Sequence, residues 1–205
     1  MSIVTLNNRG VRSVSAFGSL SGGSMVFIKK LTASSSATSS FVDGTSDVVL
    51  DDTYKEYIFT FNNMHPATDL ADFVFQGNAA GGSGYNETIT STYSRAYHEE
   101  GDGSAAFGYS TGSDKAQGTD FQILLDNVGN DNDQSGSGYL HLFNPSSTTF
   151  VTHFMANMQY YMGGDETINS FIGGYFNTTS AIDEIQFKMS SGNVDAGDIC
   201  LYGIL

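Results

Sequence analysis

Apolar residues recur at every second position along most of this chain, and that period of two restricts its fold more than any other feature. Tyr57, Phe59 and Phe61 share one face of a strand predicted over Tyr54 to Phe61, and Phe73 and Phe75 alternate in the next. The pattern returns in Phe121, Ile123 and Leu125, and again in Ile185, Phe187 and Met189. It closes the chain with Ile199, Leu201 and Gly203, with Cys200, Tyr202 and Ile204 on the opposite side. Successive side chains of a strand point to opposite faces, so this spacing lays one apolar row on a core and leaves the other outside.

Other strands are expected from Met25 to about Leu31, at Phe41-Val42, and from Tyr139 to Phe143. Phe150 to Met158 reads as a strand with Phe150, Phe154 and Met158 on one face, and Ile168 to Phe176 as one broken by Gly173-Gly174. Tyr85, Ile89, Tyr93 and Tyr97 mark one face of a long strand, with Thr88, Thr90 and Thr92 on the other. Nothing shows the spacing of an amphipathic helix, although Asp69 to Phe73 has room for one turn. Gly77-Asn78 leads to Gly82-Ser-Gly-Tyr85, and Gly129-Asn130 leads to Gly136-Ser-Gly-Tyr139. This echo predicts two long hairpin loops at similar ends of the fold. Roughly ten short strands predict an all-β chain: a jelly-roll-like antiparallel β-sandwich over residues 25–205, preceded by an extended N-terminal arm over residues 1–24.

Charge narrows the function. The chain has 8 Lys and Arg against 22 Asp and Glu, a net charge of −14. Phosphate backbones repel such a body, so no nucleic-acid partner is expected. Arg9, Arg12, Lys29 and Lys30 all precede the first acidic residue, Asp43. One reading is a locally basic strand; a sharper one is an arm that docks on an acidic partner. No run of 18 apolar residues is present, so no membrane insertion is expected. Cys200 is the single cysteine, which excludes an intrachain disulfide and suits a small core hydrophobe.

Residues that could carry chemistry are sparse. Asp131-Asn-Asp133-Gln-Ser135-Gly136 has the alternating oxygen ligands and the turn glycine of the first half of a calcium loop. The position for the bidentate glutamate falls on Leu142, so it fails as an EF-hand; Asp131, Asp133 and Ser135 remain a weak Ca2+ candidate beside the simpler reading of a polar loop. His98-Glu-Glu100 with Asp102 fits an acidic turn better than a metal site. His141 and His153 lie where they could pair across a hairpin. No serine sits in a Gly-x-Ser-x-Gly elbow, and no glycine loop leads into a helix to hold phosphate, so no catalytic residues are assigned. Tyr109, Tyr160 and Tyr161 are candidates for an exposed aromatic surface that contacts a glycan or a partner, whereas Tyr93 and Tyr97 are expected to pack inside.

Several blocks together carry a family likeness: Ile28 to Ala33, Ser40 to Gly44, Val49 to Tyr54, Asn63-Met-His-Pro-Ala67, Arg95 to Glu99 and Asp131 to Ser135. Leu142 to Phe150, Gly174 to Thr179 and Ile185 to Gly203 complete the set. Over residues 25–205 the chain resembles virion structural proteins of marine tailed phages, chiefly those of cyanobacteria and related ocean bacteria. The stretch Val4-Thr-Leu6-Asn7-Asn-Arg9-Gly-Val11-Arg12 resembles leaders attached to other phage surface proteins, which implies a particle-docking arm. The resemblance implies a non-enzymatic component of the virion surface, assembled in the host cytoplasm, as a capsid decoration or a tail fibre or spike used in adsorption. Other virion proteins and further copies of the chain, in a homo-oligomer such as a trimer, are the implied partners. Two other classes compete: a carbohydrate-binding module for a host surface glycan, and a depolymerase, which would need facing carboxylates in a groove. Deleting residues 1–24 is expected to leave a soluble folded body that no longer joins virions; normal incorporation of the truncated body, read by gel analysis of purified particles, overturns the anchoring role.

Overall fold

The computed structural model describes residues 24–205, so the arm residues Val4, Leu6, Asn7, Arg9, Val11 and Arg12 lie outside the described residues. The described residues form thirteen strands and no helix: β1 (Met25–Ser36), β2 (Ser39–Val42), β3 (Glu56–Pro66), β4 (Ala71–Ala79), β5 (Ile89–Glu99), β6 (Ala105–Tyr109), β7 (Ala116–Gly118), β8 (Gln122–Val128), β9 (Gly136–Phe143), β10 (Thr152–Met162), β11 (Glu166–Phe176), β12 (Ile182–Met189) and β13 (Val194–Ile204).

Every pairing is antiparallel. A large layer runs β1-β13-β3-β9-β10-β11-β5, with β6 and β7 both on the outer edge of β5. A small layer runs β8-β4-β12-β2. One pair, Met162 with Val128, joins β10 to β8 and makes the two layers a single, nearly closed jelly-roll-like sandwich.

The alternation read from the sequence sets which face is inside. Tyr57, Phe59 and Phe61 of β3 are buried, opposite Leu142 and Leu140 on β9 and Leu201 and Ile199 on β13. Between the layers the rings converge on Phe187 of β12. Its ring centroid lies 5.1 Å from Phe61, 5.2 Å from Phe59, 5.9 Å from Phe73, and 6.2 Å from both Phe41 and Phe75. Phe75 extends the cluster to Phe154, 5.1 Å away, and Phe176, 6.2 Å away. Most of these contacts are edge-on, the geometry that sets a ring's positive rim against its neighbour's negative face.

Toward β5 and β8 the interior turns polar, and several of the buried groups find partners. Gln76 Nε2 donates to the carbonyls of Glu87 and Thr119, at 3.0 and 3.1 Å. Ser91 Oγ donates to Gln122 Oε1, and Ser170 Oγ to the Leu124 carbonyl. Cys200 is buried but not in the core: it lies on the outward side of β13 between Lys30 of β1 and Thr60 of β3, while Ile199 and Leu201 point inward.

Several local expectations need correction. Gly173-Gly174 does not break β11, because both glycines stay in ladder register with β10 and β5. Phe150 lies before β10 and is 72% exposed rather than in line with Phe154. Asp69-Leu70 forms a turn, with Leu70 at a positive φ of 56°, and no helical turn. The two echoed loops are not hairpins: residues 80–88 and 129–135 each cross from the small layer to the large one. They lie at opposite ends of the sandwich, because β4 and β8 run antiparallel and each loop leaves the C-terminal end of its strand.

Among the described residues, Phe187 is the one ring that touches all of Phe41, Phe59, Phe61, Phe73 and Phe75, although Phe41 also meets Phe59 at 5.2 Å and Phe61 meets Phe73 at 5.4 Å. Phe187→Ala is expected to lower stability by about 3–5 kcal/mol, the usual cost of a buried aromatic deletion, measured by urea unfolding followed by tyrosine fluorescence. A loss under about 1 kcal/mol would mean that the neighbouring rings collapse into the space.

Candidate functional site

The register that buries one face of the large layer defines the other as a surface. Across β9, β10, β11, β5 and β6 the outward rows are Ser137, Tyr139, His141 and Phe143; His153, Met155, Asn157, Gln159 and Tyr161; Thr167, Asn169, Phe171, Gly173 and Tyr175; Thr90, Thr92, Ser94, Ala96 and His98; and Ala105, Phe107 and Tyr109. None of these is Asp, Glu, Lys or Arg. Five are large exposed hydrophobics: Phe107 at 71%, Met155 at 60%, Tyr109 at 54%, Phe171 at 50% and Tyr139 at 44%. The outward face of a sandwich sheet is normally polar, so a contiguous patch of this kind marks an interaction surface.

The patch is not flat. An open depression of about 620 Å3 lies over Gly173, walled by Phe143, His153, Met155, Tyr175 and Thr92. Beyond Met155 a second depression of about 310 Å3 continues between Tyr139, Asn157 and Phe171. His153 meets Tyr175 edge to face at 5.9 Å, directly across the β10–β11 pairing. At the border, His141 Nδ1 sits 2.5 Å from Glu56 Oε1 of β3. His141 and His153 therefore do not pair with each other: His141 is opposite Met155, and His153 is opposite Phe143.

The three tyrosines proposed for contact separate. Tyr109 is exposed on β6, and its hydroxyl donates to Asp114. That hydrogen bond pushes its phenol above the ordinary value. Tyr161 lies half-buried on the outward face, its hydroxyl donating to Asp165 at 3.2 Å. Tyr160 is only 3% exposed, so its expected surface role is corrected: it points into the core, with its hydroxyl 3.3 Å from that of Tyr93. Burial pushes both of these phenols up, which keeps them neutral. Parity with Phe154 and Met158 on the same strand was the available signal for Tyr160. Tyr93 packs inside as expected, and Tyr97 lies half-buried against the core.

Asp131 and Asp133 are exposed on the 129–135 crossover, and Ser135 is half-buried. The buried Gln134 closes this loop from within: its side-chain oxygen accepts from the Asp131 amide at 3.1 Å, and its own amide donates to the Asp131 carbonyl at 2.9 Å. The Asp131 carbonyl also lies 3.2 Å from His65 Nε2. Among the described residues no group of three or more His, Cys, Asp or Glu converges as a metal cage. His98 and Asp102 approach to 3.3 Å in the exposed turn after β5.

One charged constellation escaped the sequence reading. Arg95 of β5 reaches across the layers to Asp126 of β8, 2.7 Å away. Asp72 of β4 stands beside Asp126 and accepts the Asn127 amide at 2.9 Å. Burial and then the Asp72 charge raise the Asp126 carboxyl above its ordinary range, and Arg95 opposes them. The arrangement ties the two layers together, and Arg95 occupies the carboxylate that a general acid would need free. Residues 31 and 54 apart in sequence gave no local pattern to find it by.

The chain matches no protein-family model, no curated protein and no solved structure with which it has been compared.

Because a raised carboxyl pKa weakens the fold as pH climbs through it, Asp126 contributes most at acid pH and costs stability once ionised. Asp72→Asn is expected to lower the pH at which Asp126 titrates and to raise stability at neutral pH, with the gain vanishing in acid. Carbon-detected NMR of the carboxyl reads the first effect and chemical unfolding across pH the second. An unchanged titration would leave burial as the sole cause.

Proposed function

We propose that this protein is a non-enzymatic structural component of a tailed-phage virion, displayed on the outer surface as a capsid decoration or an adsorption appendage and anchored by its N-terminal arm. The observation that carries this reading is the uncharged outward face of β9, β10, β11, β5 and β6 on a chain of net charge −14. A body so acidic repels its own copies and its acidic neighbours everywhere except where charge is missing. A face with aromatic and methionine side chains and no formal charge is the surface that a subunit buries against further copies or other virion proteins. Arg9 and Arg12 give the arm the opposite sign to the body, which suits docking on an acidic particle surface.

The non-enzymatic part has its own support. Among the described residues, the adjacent carboxylates Asp72 and Asp126 are both engaged structurally: Asp72 accepts the Asn127 amide within the small layer, and Asp126 meets Arg95 across the layers. The depression over Gly173 carries no acidic or basic wall to move a proton or hold a transition-state charge, apart from His153.

A second reading, a carbohydrate-binding module for a host surface glycan, is favoured by one feature. Tyr139, His153 and Tyr175 present rings around the depressions, with Thr92 and Ser94 beside them. Aromatic faces receive the apolar faces of sugars, and hydroxyls receive their edges.

A cryo-EM reconstruction of the intact particle tests the leading reading. Hundreds of copies in icosahedral order are expected of a capsid decoration, and a few copies on tail or spikes of an adsorption appendage. Absence of the chain from purified particles overturns the proposal.

A further inference from the structure

Two neighbouring positions on β11 depart from an ordinary outward row in opposite senses. Phe171 carries a ring that is half exposed, and Gly173, the next residue on that face, carries nothing. Gly174 explains itself: an added Cβ would fall 2.6 Å from Phe154 Cζ and 2.7 Å from the Thr90 carbonyl oxygen, so the core excludes a side chain there. Gly173 has no such reason. A Cβ at Gly173 would meet only Thr92 Oγ1, at an ordinary 3.8 Å, and its backbone is not left-handed. Among the described residues nothing requires a glycine at this position, and a glycine in a strand costs stability. A strand glycine over open space marks the close approach of something from outside.

Charge and lining together select the occupant. A second copy of the chain brings another −14, so two copies approach most easily through this uncharged face. The walls over Gly173 are chiefly carbon: Phe143, Met155 and the rings of His153 and Tyr175. A sugar buried there would lack partners for most of its hydroxyls, whereas a phenyl ring needs none. We infer that two copies pack these faces together, with Phe171 of each seated in the depression over Gly173 of the other. This rests on reading the outward face as an assembly surface. The geometry closes on itself. Residues two apart on a strand are ~7 Å apart, so a two-fold axis at the level of Ile172 sets each Phe171 over its partner's Gly173 with the two β11 strands antiparallel. Each copy thus supplies both the knob and the hole.

The full chain, its Gly173→Val variant and its Phe171→Ser variant test this by sedimentation equilibrium over a wide concentration range, with circular dichroism to confirm folding. Valine fills the hole in open space and suits a strand, so that variant is expected to fold at least as well as the parent. The parent is expected to dimerise, and each substitution to weaken dimerisation at least tenfold. A parent that stays monomeric at every concentration overturns the inference, as does a dimer or trimer that neither substitution weakens. A monomer whose binding to immobilised host polysaccharide is lost in Gly173→Val also overturns it, in favour of the glycan site. A monomeric chain found on virions defeats the interlock and leaves the proposed role standing; a dimer absent from virions does the reverse.

Discussion

The convergence of five phenylalanine rings on Phe187 is the contact on which the rest of the structure depends. Phe187 sits at the middle of β12 in the small layer, and its neighbours come from β2, β3 and β4. Phe59 and Phe61 belong to the large layer, so this cluster closes the sandwich rather than merely filling it. The direct ladder between the layers is a single residue pair, Met162 with Val128. Layer on layer is therefore held mainly by buried rings, whose large apolar area and edge-on contacts supply the cohesion that a short ladder cannot. The Arg95–Asp126 pair adds a directional tie away from the aromatic cluster, at the β5–β8 side. A partly buried ion pair is a modest contributor to stability, but breaking it leaves a charge stranded, which makes it a specific link between those two strands.

Fixing the inner face fixes the outer one. Once Phe154, Met158 and Tyr160 point inward on β10, then His153, Met155, Asn157, Gln159 and Tyr161 must point outward. The same parity, propagated through the ladders to β9, β11, β5 and β6, gathers residues from five segments into one surface with no formal charge. The acidic residues stand outside this patch: in connecting loops, around the small layer, as with Asp43, Asp183 and Glu184, and at the borders of the large layer, as with Glu56, Glu99 and Asp198.

Much of this was legible in the sequence because it is local. The alternation of Tyr57, Phe59 and Phe61, or of Ile185, Phe187 and Met189, needs only neighbouring residues, since a strand turns every second side chain to the same side. Tyr160 could have been placed by the same rule from Phe154 and Met158, and the adjacent Tyr161 by the opposite parity. The echo of the two glycine loops misled because composition marks where a chain turns and not which strand it turns toward. Gly173 and Gly174 read alike as breakers, whereas one is forced by Phe154 and the other faces open space.

The sequence by itself determined that the chain is all-β, where most of its long strands lie, which residues of β3, β12 and β13 share a face, and that its charge is strongly negative; it missed β6 and β7 and misread β8, where Gln122 and Leu124 rather than Phe121 and Ile123 point inward. Only the tertiary structure decided that β1 pairs with β13, that β3 lies between β9 and β13, that Arg95 meets Asp126, and that the uncharged rows of five strands form one surface with a hole beside a knob. Those are contacts between segments tens to more than a hundred residues apart, set by the closing of two layers around shared rings, and no local pattern encodes which distant partner a strand will find.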